Sequence, residues 1–400
     1  MIKEIPMTHL KLLCLGAALC ATASQTQVAS AGSAPEADAS TAAIPAPVAF
    51  VYVSSTPKNS SNNEVIAYTA NAEGKLTPVT GSPFQADIGS MAVTESHLFG
   101  ANNHTPYIDA YQIEPSGALR YSTFTNYAQY NSDDCGSAES LLLDHTGSSL
   151  YVLEYNGNIC ANNSYQSFAV DKSNASLRNL GSGADGAWLD NGATFTGNNL
   201  YAYSASCLNN LYWEIFGFKR SSDGRLNQIT INAPTPRAKS GDFFCPSLTA
   251  ADPSGHVAIS MQAVNGQEFT ADGAAQLATY TVGNTGNLST TSTPENMPTT
   301  EVGIVNDINM STSGKLLAVG GTAGLQVFHF NGASPITRYT GLLTRDPITK
   351  IHWDSSNHLY AISQPAGKLF VFTVTPISYS HAPGSPYSIS SPQALAVQIR

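Results

Sequence analysis

The sequence predicts an all-β fold, a seven-bladed β-propeller with four antiparallel strands per blade. Three observations carry that expectation. First, one strand type returns seven times: AFVYVSS, HLFGANN, SLYVLEY, NLYAYSA, HVAISMQ, KLLAVGG and HLYAISQ. Their first residues (Ala49, His97, Ser149, Asn199, His256, Lys315 and His358) fall roughly 50 residues apart, a spacing typical of propeller blades. Second, hydrophobic residues make up 42% of the chain but charged residues only 12%, about half the usual share. Ser, Thr, Asn and Gly fill the difference, as expected of a turn-rich β protein. Third, no stretch after the N-terminus carries a sustained helical period. A single four-stranded sheet cannot bury both faces, so units of this kind must stack around an axis.

Each unit can be parsed in order. The unit from Leu141 to Leu180 is an apolar run, a DHTG turn, strand SLYVLEY, a polar loop, strand SYQSFAV and a turn into SLRNL. Second strands elsewhere are EVIAYTA, YIDAYQI, EIFGFKR, AQLATYT, LQVFHF and KLFVFTV. Third strands follow Gly or Ser turns, as in GKLTPV, GALRYS, GRLNQI and GNLSTT. A fourth segment lies just upstream of each first strand, as in PSLTAADPSG from Pro246 and NDINMSTSG from Asn306. The C-terminal run PQALAVQIR (Pro392–Arg400) fits that upstream position for the unit beginning at Ala49. The ring is therefore expected to close by the C-terminal strand joining the first blade.

The first residues fall outside this pattern. Lys3 and Lys11 flank a short basic region, and LLCLGAALCATA (Leu12–Ala23) is apolar but too short to span a bilayer. Ala21 and Ala23 fit a signal-peptidase site before Ser24. Residues 1–23 are thus read as a signal peptide, 24–47 as a disordered Ala/Ser/Pro linker and 48–400 as the propeller. This implies an exported protein, periplasmic or extracellular, with no transmembrane segment in the mature chain. Four cysteines remain after cleavage (Cys135, Cys160, Cys207 and Cys245), an even set suited to disulfides. Propeller geometry suggests pairs 135–160 and 207–245, with re-pairing as the alternative. No CxxC pair occurs, and no metal or cofactor is expected. The formal net charge of −10 argues against nucleic acid as a partner.

DPSG at Asp252–Gly255, GKLTPVTGSPF at Gly74–Phe84 and GSPY at Gly384–Tyr387 resemble the seven-bladed lactonase-like propellers. That family includes 6-phosphogluconolactonase-like and surface-layer-type members. The resemblance covers residues 49–400 and implies the fold and a lactonase-type hydrolase. The chain contains no GxSxG elbow, HExxH helix or Walker loop. A lactonase would need a group to activate water and a donor for the oxyanion. Glu139 and Arg345 are the catalytic candidates. Aligning the upstream strands sets Glu139, Ser247, Asn306, Thr349 and Gln393 in one column at the channel mouth, with Glu154 and Arg237 on the same face. Such a ring suits a small polar ligand or ordered water. Arg237, Lys239, Arg345 and Lys350 are the basic residues available to a phosphorylated substrate, and His352 is expected in the core or channel. Two alternatives stand beside each other: a monomeric binding scaffold for a small polar ligand, and a hydrolase opening a lactone or sugar-lactone. A third role, binding protein or polysaccharide, would use aromatics such as Tyr212 and Trp213.

Overall fold

A computed structural model describes residues 46–102, 105–127, 137–155, 165–182, 192–208, 212–239 and 241–400. For residues 137–139, 154, 155, 182, 208, 212 and 213 only the backbone is described. The leader and nearly all of the linker, together with Cys135 and Cys160, lie outside these residues.

Seven antiparallel sheets form the ring. Blade 1 runs outward from the C-terminal strand Pro392–Ile399 through Ala49–Ser55 and Glu64–Ala70 to Leu76–Pro78. Blade 2 is Ile88–Val93, His97–Asn102, Tyr107–Ile113 and Leu119–Asn126. Blade 3 is Ser137–Leu143, Ser149–Tyr155, Tyr165–Val170 and Leu177–Ser182, and blade 4 begins at Thr194–Phe195. Blades 5, 6 and 7 begin at Asp242–Ala251, Val305–Met310 and Lys350–Trp353. The closure expected from the C-terminal run is present, with Val51 opposite Val397 and Val53 opposite Leu395. Leu395 and Val397 face the core shared with blade 7, while Ala394 and Ala396 face the core shared with blade 2.

The recurring turns have a common cause. Asp252 opens the DPSG turn, and its carboxylate accepts the N–H groups of Ser254 (2.8 Å) and His256 (2.7 Å). Asp354 does the same for Ser356 and His358, and Asp144 for Ser148 and Ser149. A short acceptor side chain satisfies amides that the tight turn leaves without ladder partners.

Neighbouring blades are stitched by tyrosines. Tyr52 donates its hydroxyl to the Gly117 carbonyl (3.0 Å), Tyr151 to Gly224 (2.7 Å) and Tyr203 to Gly286 (2.7 Å). Each acceptor is a positive-φ turn glycine of the next blade. At Gly117, φ is +86° and an added Cβ would stand 2.7 Å from the Phe50 ring. Gly117→Ala is therefore expected to destabilise by about 2 kcal/mol or more, from strain and overpacking together. A denaturation midpoint equal to wild type would contradict this packing.

The GSPF and GSPY motifs are also structural. Ser82 accepts the Ala67 N–H and Ser385 accepts the Val371 N–H, both at 2.9 Å. Phe84–Gln85 and Tyr387–Ser388 then continue the pairing of the third strand beyond a short outer strand. Tyr387 further accepts the Leu76 N–H, tying blade 7 to blade 1.

Candidate functional site in the axial channel

The innermost strands enclose a channel of about 1020 Å³. Every blade contributes to its wall, through Ser90, Ser140, Thr194, Thr249, Asp307, Lys350 and Ala394 among others. Most of this lining is small or apolar. Titratable side chains line the channel at several blades, among them Asp144 and His145, Asp252, and the group Asp307, Lys350 and His352 on blades 6 and 7.

On blades 6 and 7, Asp307, Lys350 and His352 all line the wall. Asp307 reaches across from blade 6, and its Oδ2 accepts the N–H of Ile351 at 2.7 Å. Ile351 is the residue between Lys350 and His352. Ile351 and Trp353 are buried in the core shared with blade 6. Strand alternation then places Lys350 and His352 on the opposite face, roughly 7 Å apart along the strand. Trp353 fixes the strand by donating Nε1–H to the Asn309 carbonyl (3.1 Å).

The electrostatics differ across the three. Burial pushes the Asp307 carboxyl above its ordinary range, opposed by Lys350 and by the N–H groups of Ile351 and Ile308. Burial pulls His352 below its ordinary value, opposed by the Trp353 carbonyl and Asp354. His352 is therefore neutral at pH 7, with Nδ1 facing the Trp353 carbonyl at 3.2 Å. If Nδ1 carries the proton in that bond, Nε2 holds a lone pair, and among the described residues it has no hydrogen-bond partner. A neutral imidazole, an exposed ammonium and a half-buried carboxyl thus line the same channel.

The residues singled out from sequence lie close by. Asn306 and Thr349 each directly precede the channel-lining residue of their strand, at the rim. Asn306 donates to the Ile348 carbonyl of blade 7 (2.9 Å), and Thr349 to the Ile362 carbonyl (3.2 Å). Ser247 bonds Ser260 (2.5 Å). Gln393 accepts from Gln364 (2.9 Å) and donates to Ser391 (3.0 Å) and Thr56 (3.3 Å). These four polar groups knit the rim. Arg237 and Arg345 are exposed in separate loops, and Asp346 beside the latter pairs with Lys368 (2.7 Å). The side chains of Glu139 and Glu154 lie outside the described residues. Cys207 and Cys245 form a disulfide between blades 4 and 5, with Cα atoms 5.4 Å apart. The pair 135–160 falls outside the described residues.

Asp307 was not singled out by the sequence. The signal was present as a period of two: with Trp353 and Ile351 core-facing, Lys350 and His352 had to share the other face. The cross-blade reach of Asp307 has no local signature.

Solved structures with this architecture are numerous. A periplasmic gluconolactonase from Pseudomonas aeruginosa is 14% identical, with 88% of this chain and 99% of that one aligned and a TM-score of 0.60. The fold is that of the lactonase-like propellers. A Bacteroides uniformis protein provisionally described as a 6-phosphogluconolactonase aligns over 87% of this chain and 99% of its own, at 12% identity and a TM-score of 0.60. A hypothetical selenium-binding protein from Sulfolobus tokodaii aligns over 89% and 94%, at 11% identity and a TM-score of 0.58. At such identities the likeness is one of fold, and this fold carries more than one described role. No protein-family model and no curated protein matches the sequence.

Proposed function

We propose that the protein binds a lactone of a small polyhydroxylated acid in the axial channel and opens it by hydrolysis. The observation that carries this reading is that Asp307, Lys350 and His352 all line the channel, with Lys350 and His352 on one face of a single strand and Asp307 bonded to the N–H of the residue between them. The gluconolactonase described above, with the same fold, makes a lactone the substrate class to test first. In the reaction, His352 Nε2 takes a proton from water as the water oxygen attacks the lactone carbonyl. The Lys350 ammonium stabilises the oxyanion. The ring C–O bond then breaks, and the leaving alkoxide takes the proton back from His352 to give the hydroxy acid. Asp307 holds the strand and offsets the Lys350 charge.

A lactone panel, neutral and phosphorylated, with spontaneous opening subtracted, tests the reading. His352→Gln is expected to lower kcat/KM by about 100-fold or more, and Lys350→Met by a similar factor. The pH profile carries a sign. Because burial holds His352 below its usual value, the base stays active across neutral pH, and activity falls only below about pH 6.5 as the ring protonates. Turnover equal to background across the panel would remove the catalytic step.

The second reading is a propeller that binds such a molecule without turning it over. It is favoured by the rim, where Ser247, Asn306, Thr349 and Gln393 spend their polar groups on structural bonds. In both readings the protein works as an exported monomer, supported by the signal-like N-terminus and the Cys207–Cys245 bond. Export is tested by N-terminal sequencing of protein recovered outside the cytoplasm, which should begin after Ala23. Recovery of the uncleaved chain in the cytoplasm would contradict it.

A further inference from the structure

The outer part of blade 2 carries a feature that the channel does not use. In strand Leu119–Asn126, Tyr121 and Phe124 are each 51% exposed. A bulge between Ala110 and Tyr111 changes the register, so that Tyr121 stands opposite Tyr111 and Phe124 opposite Asp109. Residues 109 and 111 share a face, so both exposed rings do too. Each is backed by a second ring: Phe124 by Tyr107 at 5.0 Å and Tyr121 by Tyr111 at 5.6 Å. Between the two pairs sits half-buried Asp109, which accepts a hydrogen bond from Asn102.

We infer that this face is a second binding site, for a neutral polysaccharide chain. The exposed rings of Phe124 and Tyr121, braced by Tyr107 and by the core residue Tyr111, stack on the apolar C–H faces of successive sugar units, and Asp109 accepts their hydroxyls. The rings are held by their partners before any ligand arrives, so little side-chain entropy is lost on binding. A flat apolar protein surface fits less well, since it would desolvate the Asp109 carboxyl further and supply no additional donor. A polyanion is repelled by Asp109, by nearby Asp87 and by the net charge of −10. Sugar hydroxyls supply donors without bringing charge. Two exposed rings, each braced by a second ring and flanking one acceptor, form a platform rather than a closed cage.

Native gel electrophoresis of the purified protein, with and without neutral β-glucan or xylan in the gel, tests this. The protein is expected to be retarded by at least one polysaccharide. The double variant Tyr121→Ala/Phe124→Ala, altered only at exposed positions, should bind about tenfold more weakly or worse. Asp109→Asn, which keeps an acceptor oxygen, should lose less than the double variant. Turnover in the lactone assay should be unchanged in all three proteins. The inference is overturned if no polysaccharide retards the wild type, or if the double variant is retarded equally. It is also overturned if choline displaces the polysaccharide, which would mark a cation site. Faster migration of the double variant in a plain gel would overturn it too, because the patch would then join two copies of this chain.

Discussion

Removing residues 392–400 is expected to abolish cooperative folding of the whole ring, rather than fray one end. Strand Pro392–Ile399 is the innermost strand of blade 1, paired along the length of Ala49–Ser55. Its alternate side chains serve two cores at once, Leu395 and Val397 toward blade 7, Ala394 and Ala396 toward blade 2. Loss of the strand would expose both cores and leave an unpaired inner edge on blade 1. A milder change grades the effect. Leu395→Ala should cost about 2–5 kcal/mol, the range for truncating a buried leucine. Near-ultraviolet circular dichroism and thermal melting read both variants. A truncated protein that melts where the wild type melts would refute closure by this strand.

The second large effect is expected at Asp144. Its carboxylate is fully buried and gathers the Thr146 hydroxyl, the Ser148 and Ser149 N–H groups and, from blade 4, the Asn199 amide (2.7 Å) and Arg220 (3.2 Å). Arg220 also donates to the hydroxyls of Ser148 and Ser149. Asp144→Ala would leave a largely buried guanidinium without its counter-charge and strip two turn amides of their acceptor. A loss of about 3–5 kcal/mol follows, as for breaking other buried pairs. Burial alone would raise the pKa of this carboxyl. The bonds from Thr146, Ser149 and Asn199, with Arg220, outweigh it and hold the group below its ordinary value. The sign follows from linkage. A depressed carboxyl contributes its stability above the unfolded value near 3.8 and loses it as pH falls through the lower folded value. The gap between wild type and Asp144→Asn in urea midpoint should therefore be widest near neutral pH and shrink below about pH 4. A gap that stayed constant into acid would mean the clamp works through packing alone.

These two sites also show what could be read in advance. Ring closure was legible because a strand-like run at the C-terminus had no other sheet to join. The Asp turns were legible because an Asx acceptor needs only local sequence. Gly117, Gly224 and Gly286 announced turns, but the tyrosines that cap them lie 65 to 83 residues away, and no local pattern couples them. The candidate site was half legible for the same reason. The alignment of upstream strands found the rim residues Asn306 and Thr349, then stopped one residue short of Asp307 and Lys350. A step of one along a strand turns a side chain to the other face. Arg220 likewise meets Asp144 only because blades 3 and 4 are adjacent. Blade-to-blade contacts are the part of the fold that one unit's sequence does not contain.

The most direct test of the channel site is a calorimetric titration with an aldonolactam, a lactone isostere that resists hydrolysis. It separates binding from turnover. The account predicts one molecule bound per chain, binding weakened at least tenfold by Lys350→Met, and no change in the blade 2 variant Tyr121→Ala/Phe124→Ala. Heat indistinguishable from dilution, or binding untouched by changes at Lys350 and His352, would show that Asp307, Lys350 and His352 merely fill the wall.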